Sequence, residues 1–244
     1  GVDILFTMPQ DDDTLLVDAF QAMKTPTYLA YASPETNTEI AFAEHEFLDY
    51  FVSNLDTDKV KPTSIRLVPD YDGVARKWSK APAGLPPFLA IALTGENPKF
   101  ANNNGAIRYL APDRADEPVF EKYAIENLVD PEIAGFILER LKGKYVLIGG
   151  DIIDRDRFDT PIGSVEGTSD PDGKMIGLEV HAHMLAQLLD DDLPSPIQSW
   201  TLWIAALLAA VCGGLSALTT GKAHKVAVIL IGQFLFFLMF PFLL

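Results

Sequence analysis

The sequence is poor in cysteine and in positive charge. Its single cysteine, Cys212, lies in an apolar stretch, so the chain can form no internal disulfide. A core of this size does not need one, even outside the cytoplasm. The 19 Lys and Arg are outnumbered by 34 Asp and Glu, which gives a formal net charge of −15. Because contacts to a phosphate backbone need an excess of basic residues, the chain is not expected to bind nucleic acid.

Charge of either sign is almost missing after Asp192, where Lys222 and Lys225 are the only charged residues. Two uncharged stretches there, 200–218 and 226–244, are each long enough to cross roughly 30 Å of hydrocarbon as a helix. The first begins with two tryptophans, which favour the interface between membrane and water. We therefore expect two transmembrane helices in contact with a lipid bilayer.

The charge around these helices predicts which side of the membrane each part faces. The segment between them carries only positive charge, and short basic loops stay in the cytoplasm. The acidic part then lies on the opposite side. The predicted parts are an extracytoplasmic domain over 1–196, a transmembrane helix over 197–220, a cytoplasmic loop over 221–225 and a second transmembrane helix over 226–244.

Residues 1–196 alternate between strand-like and helix-like patterns. We predict strands at 2–6, 28–32, 65–68, 106–110 and 145–148, and helices at 15–23, 40–55, 85–93, 131–141 and 177–189. The first helix is expected to begin at an acidic N-cap at 11–13. The uniformly apolar run 145–148 is expected to be a buried parallel strand. The fold class is therefore α/β, with a mostly parallel sheet flanked by helices in three layers, followed by two transmembrane α-helices.

A polar loop, predicted over 151–174, follows the 145–148 run. Its first nine residues hold four carboxylates: Asp151, Asp154, Asp156 and Asp159. Open α/β sheets bind ligands beyond the carboxyl ends of their strands, so this loop is a candidate contact for a ligand or partner. Carboxylates can also hold a hard cation such as calcium, but the spacing does not match an EF-hand and two interleaved arginines repel a cation. We predict no metal site, and a purely structural loop is the simplest interpretation.

Two histidines, His181 and His183, lie on the last predicted helix of the domain. Because they are two residues apart, they do not share a helix face and do not form a two-histidine metal site. His181 is expected to cap or pack at the helix start, with pH sensing as the alternative. No pattern indicates a nucleophile or a phosphate-binding loop, no cofactor is expected, and whether the parent protein is an enzyme stays open.

Five short segments carry a family resemblance. They are 3–6 (DILF), 72–76 (DGVAR), 141–149 (LKGKYVLIG), 156–161 (DRFDTP) and 177–182 (GLEVHA). In this order they resemble motifs of the CHASE family, second type, whose members are extracellular sensory domains associated with bacterial cyclases and histidine kinases. The candidate ligand or partner contacts are Asp151, Asp154, Asp156, Asp159, Thr160 and His181.

The resemblance implies an extracytoplasmic sensor in a bacterial inner membrane, coupled through membrane helices to a cytoplasmic output. Family outputs include class III adenylate or guanylate cyclases, histidine kinases and, less often, Ser/Thr kinases. We expect a cyclase. Such outputs commonly work as dimers, so a homodimer is expected, with helix packing at Gly213 and Gly214, whose small size permits close approach.

Family members usually have a membrane helix and a strand–helix unit before the first motif, and up to three membrane helices after the domain. The chain is therefore expected to be incomplete at both ends. Two other hypotheses remain open: an enzyme on the outer face that uses the acidic loop, and an assembly subunit of a membrane complex that does not switch.

Overall fold

The chain divides into two compact units, Gly1–Pro194 and Ser195–Leu244. The computed structural model describes residues 1–33, 40–55, 58–78, 88–95, 105–114, 117–152, 156–165, 172–192, 199–218 and Gly232. The first unit is an α/β domain. In the second, the description centres on one long helix.

A sheet of four parallel strands forms the centre of the first unit. The strands are β1 (Val2–Asp3), β2 (Thr27–Tyr31), β3 (Val60–Ser64) and β4 (Ile148–Gly149). Their order across the sheet is β3-β2-β1-β4. Two shorter strands, β5 (Arg157–Asp159) and β6 (Lys174–Ile176), form a separate antiparallel pair. The predicted mostly parallel sheet is confirmed.

The helices described are α1 (Asp13–Ala22), α2 (Phe42–Ser53), α3 (Leu89–Thr94), α4 (Glu126–Val129), α5 (Pro131–Leu141), α6 (Gly177–Leu189) and α7 (Ser199–Leu218). The predictions over 131–141 and 177–189 are confirmed at both ends. The helix predicted over 40–55 is confirmed with shorter ends. The helix predicted over 85–93 begins at Leu89, and its residues 85–87 lie outside the described residues.

Two hydrophobic clusters show how helices flank the sheet. The first joins the strands to α1 and α2 and contains Val2, Phe20, Leu29, Phe51 and Val60. The second joins α6 to residues around α3 and β6 and contains Trp78, Phe88, Met175, Val180 and Met184. Side chains alternate along a strand, so Leu29 faces α1 and α2 while the buried Ala30 faces the opposite way. On the face towards which Ala30 points, α3 contacts β2 and β3.

The apolar run 145–148 lies at an edge of the described sheet: the predicted parallel strand is confirmed at Ile148, and the prediction that it is buried is wrong. Only Ile148 belongs to β4, which pairs with β1 in the described sheet. Tyr145 is 50% exposed. The terminal amine of Gly1 donates to Val146 O at 2.7 Å, so the run still pairs with the chain start. An apolar run does not specify how many neighbours its strand will have.

Segments 65–68 and 106–110 are not strands, contrary to prediction. Side chains of α6 bond to their backbone instead: His181 Nε2 to Ile65 O at 3.0 Å, Gln187 Nε2 to Ala106 O at 3.2 Å, and Leu110 N to His183 Nδ1 at 3.1 Å. Conversely, sequence reasoning misses β3, because it contains Pro62. This strand lies at the sheet edge, where a missing N–H is tolerated.

Other boundaries also differ from expectation. The predicted strand 2–6 is confirmed only at Val2–Asp3, whereas 28–32 is confirmed as β2, one residue earlier. The predicted loop 151–174 contains β5 and the first residue of β6, so it is partly wrong. At the start of α1 the cap residue Asp12 makes no side-chain cap bond; instead Asp13 Oδ2 accepts from Gln10 N at 2.8 Å.

The second unit contains α7, which runs over 20 residues. Among the residues that the structure describes, no helix combines the length and apolar character needed to cross a membrane. The predicted loop 221–225 and, apart from Gly232, the predicted helix 226–244 lie outside the described residues.

Candidate functional site at the carboxyl edge of the sheet

The strand order creates a switch point between β1 and β4. From β1 the chain proceeds to β2 and β3 on one side, and β4 lies on the other. In parallel sheets, a crevice forms at the carboxyl ends of the two strands where the order reverses. Asp3 ends β1, Gly149 ends β4, and the two residues are paired across the strands. The candidate site is therefore centred on Asp3 and Gly149.

Helix α6 begins directly against this edge. A Cβ on Gly149 would lie 3.1 Å from the side chain of Leu178 and 3.3 Å from Asp3 Cβ. Those distances are tighter than ordinary contacts, so a side chain at position 149 would require Leu178 or Asp3 to shift by a few tenths of an ångström. The first turn of α6 therefore lies beside the carboxyl ends of both strands.

Asp156 joins the site from the segment that precedes β5. Its backbone O accepts from Gly177 N at 2.9 Å, which ties this segment to the start of α6. Its carboxyl group lies over Gly177: a Cβ there would be 3.0 Å from Asp156 Cγ and 3.1 Å from the Phe158 ring. Glycine at the first position of α6 thus makes room for the carboxyl group.

The two carboxyl groups, Asp3 and Asp156, have an unusual electrostatic environment. Burial raises the pKa of Asp3 to about 6. Burial raises the pKa of Asp156 to about 7, and the nearby charges of Asp3 and Asp151 act in the same direction. Near neutral pH, Asp156 can therefore either donate or accept a hydrogen bond, whereas an ordinary aspartate only accepts.

Asp151 behaves in the opposite way because Arg157 pairs with it. The Arg157 guanidinium bonds Asp151 through Nε at 2.9 Å and Nη2 at 2.7 Å, and Asp172 through Nη1 at 3.1 Å. The bond from Arg157 lowers the pKa of Asp151. In the sequence Arg157 is expected to repel a cation from this loop; in the structure it links β5 to Asp151, before that strand, and to Asp172, just before β6. Asp151 is therefore held as a paired carboxylate at the rim of the site.

The other predicted contacts that the structure describes do not gather at this edge. Asp159 is exposed, and its backbone O accepts from Ala75 N at 2.8 Å. Thr160 is buried, and its Oγ1 has no hydrogen-bond partner among the described residues. Asp154 lies outside the described residues. Of the predicted contacts that the structure describes, Asp151 and Asp156 are brought together at the sheet edge.

His181 lies in the core. It is 1% exposed, and its Nε2 lies 3.0 Å from Ile65 O. Burial lowers the pKa of His181 to about 4. The ring is therefore neutral across the usual physiological range, which favours packing over pH sensing. Burial also lowers the pKa of the neighbouring His183 to about 4.

Sequence reasoning missed Asp3 and Gly177 as site residues. Both lie in the five segments that resemble family motifs, but Asp3 is far from the acidic loop in sequence. Only the pairing of β1 with β4 brings it beside Asp156. Within the described residues, no group of three His, Cys, Asp or Glu is arranged to hold a metal ion.

A candidate site at the switch point of a parallel sheet is typical of α/β domains that bind ligands. A family model described as "CHASE2 domain" matches residues 1–218. The chain therefore belongs to the CHASE2 domain family, whose members are extracellular sensory domains of signalling receptors. Neither the curated proteins nor the solved structures include a significant match.

Proposed function

We propose that this chain is the extracytoplasmic sensor and membrane anchor of a bacterial signalling receptor that regulates a cytoplasmic class III adenylate or guanylate cyclase. The family match carries the proposal. It extends over residues 1–218 and so takes in both the α/β domain and α7. A sensory domain joined to such a helix is suited to passing a signal across a membrane.

Membrane anchoring is supported by the sequence of 197–220 and 226–244, which contains no charged residue. Large apolar side chains of α7 are also exposed, including Trp203 at 76% and Leu207 at 64%. Exposed apolar surface of this kind favours burial in lipid or against another helix. A second copy of the chain packed at Gly213 and Gly214 is the proposed dimer contact.

The sheet edge at Asp3 and Asp156 is the proposed place where a stimulus acts. The first turn of α6 contacts this edge, through Leu178 at Gly149 and through Gly177 at Asp156. A ligand or partner that changed these contacts would act directly on α6. To shift the populations of two arrangements of the domain, a stimulus has to bind one of them more tightly than the other. Contacts at the start of α6 are where such a preference would act.

The test is to read the coding sequence beyond Leu244 and to assay membranes that contain the whole receptor. We expect a class III catalytic domain, formation of cyclic AMP or cyclic GMP, and a change in that activity when residues 1–196 are removed. A kinase domain would assign the sensor to a different output. A stop codon directly after Leu244 would favour an assembly subunit and contradict the proposal.

A further inference from the structure

Helix α6 carries three buried polar side chains among its apolar ones: His181, His183 and Gln187, each at most 2% exposed. Burying such groups is costly unless they are hydrogen-bonded. All three bond to segments outside the regular strands. Hydrogen bonds are directional, so they fix the position of α6 along its axis more strictly than apolar packing does.

Gln187 makes several hydrogen bonds with its side chain. Its Oε1 accepts from Trp78 Nε1 at 2.9 Å and from Arg108 N at 3.1 Å, and its Nε2 donates to Ala106 O at 3.2 Å. The carboxamide therefore uses both its acceptor and its donor side. In the last turn of α6, Gln187 thus holds the backbone of segment 105–110.

Arg108 joins the same segment to the residues just after α6. Its Nη2 bonds Asp190 Oδ2 at 2.8 Å, and its Nη1 bonds Asp192 Oδ2. Its backbone N–H donates to Gln187, so the position of the Arg108 backbone is fixed. We call Arg108, Gln187, Asp190 and Asp192 the exit contact.

The chain after α6 has a defined path at this contact. Asp192 N donates to Gln187 O and Asp191 N to Leu188 O, both at 3.2 Å. With Asp191 at a φ of 52°, this is the pattern of a Schellman cap. A left-handed aspartate is uncommon but tolerated. The helix end is therefore closed by its own backbone while Arg108 holds the acidic side chains on either side of Asp191.

We propose that the exit contact positions the end of α6, which precedes α7 in the sequence, so that a change in segment 105–110 is passed toward the membrane. The inference rests on the proposed function, because it supplies the route by which the domain acts on its output. In this role Arg108 and Gln187 are positioning residues.

The first test is hydrogen exchange on the 244-residue chain in detergent, comparing wild type with Arg108→Ala. Losing two partly screened ion pairs is expected to speed exchange of amides in 105–110 and 190–192 about 3- to 10-fold. The matched control is Arg114→Ala, which removes a local ion pair with Glu117. It should leave both segments unchanged. Unchanged exchange in Arg108→Ala would overturn the proposal.

A charge-swap variant distinguishes the loss of these ion pairs from a general loss of folding. Arg108→Asp should speed exchange in the same two segments, and adding Asp190→Arg and Asp192→Arg should restore much of the protection. If the triple variant exchanges as fast as Arg108→Asp, the ion pairs do not hold the end of α6 and the proposal fails.

The second test is the output of the whole receptor in membranes. Arg108→Ala is expected to change cyclic-nucleotide formation at least 2-fold, while Arg114→Ala does not. Faster exchange with unchanged output would overturn transmission through the exit contact. The proposed function would survive that result if removal of residues 1–196 still altered the output, and would itself fail if it did not.

Discussion

Replacing Asp156 by asparagine should stabilise the domain at alkaline pH. The substitution keeps the shape of the side chain and removes its charge. In the folded domain, burial together with the charges of Asp3 and Asp151 raises the pKa of Asp156 from 3.8 to about 7. At pH 8 the wild-type domain must therefore hold an unfavourable carboxylate against the start of α6, which the variant does not.

The sign of the pH dependence follows from the direction of this pKa change. Because the folded state binds the proton more tightly than the unfolded state, Asp156 favours folding at low pH. That contribution is lost as pH rises through about 7. The full change in pKa would correspond to about 4 kcal/mol. The group is only partly buried, so screening by water reduces the expected effect to roughly 1–2 kcal/mol.

The assay is thermal unfolding of the 244-residue chain in detergent at pH 4.5, 6 and 8. At pH 8, Asp156→Asn should raise the midpoint by about 2–6 °C, a range appropriate to a domain of this size. At pH 4.5 the difference should be clearly smaller than at pH 8, because the folded wild type is then protonated at Asp156 and only the unfolded chain, with its ordinary pKa of 3.8, still loses the proton.

Asp151→Asn is the matched control. Arg157 lowers the pKa of Asp151, so its contribution to stability is present above its ordinary pKa and is lost on acidification. This control should not stabilise the domain at pH 8. The electrostatic description of the candidate site is wrong if Asp156→Asn is no more stable than wild type at pH 8. It is also wrong if the stability of the variant changes with pH as steeply as that of the wild type.

Two further predictions concern glycines. Gly177→Ala should lower the free energy of unfolding by about 1–2 kcal/mol, because the new Cβ would press on the Asp156 carboxyl group and the Phe158 ring. Gly135→Ala in α5, where a Cβ meets nothing within 4 Å, should raise it by about 0.5–1 kcal/mol. Denaturant unfolding measures both, and equal effects would refute the packing at α6. Replacing Gly213 and Gly214 together by Ile should weaken dimerisation, and an unchanged oligomer size in detergent would refute that interface.

The sequence was most informative where local signals agreed. Helix α5 was predicted at both ends because Pro131 stands at its first position, a usual place for proline, and Gly143 stands just beyond its end. In the structure the Asp130 side chain also caps it by accepting from Glu132 N at 2.9 Å. Gly143 adopts a φ of 72°, as expected after a helix end.

The sequence was least informative where neighbours decide the structure. The run 145–148 and segment 106–110 are both apolar enough for strands, yet one lies at an edge and the other bonds to Gln187. The site follows the same rule. Asp156 was found from its loop, but Asp3 becomes a site residue only because β1 and β4 are adjacent. No local pattern encodes that pairing.

The most direct test of the central claim is to determine which side of the membrane each part faces. In the whole receptor with its native cysteines, including Cys212, replaced by serine, a cysteine is introduced either at Asp18, which is exposed on α1, or at Ala223 in the predicted loop 221–225. A membrane-impermeant maleimide should label Asp18→Cys in intact spheroplasts and label Ala223→Cys only after permeabilisation. Labelling of Ala223→Cys in intact spheroplasts, with Asp18→Cys protected, would contradict an extracytoplasmic sensor.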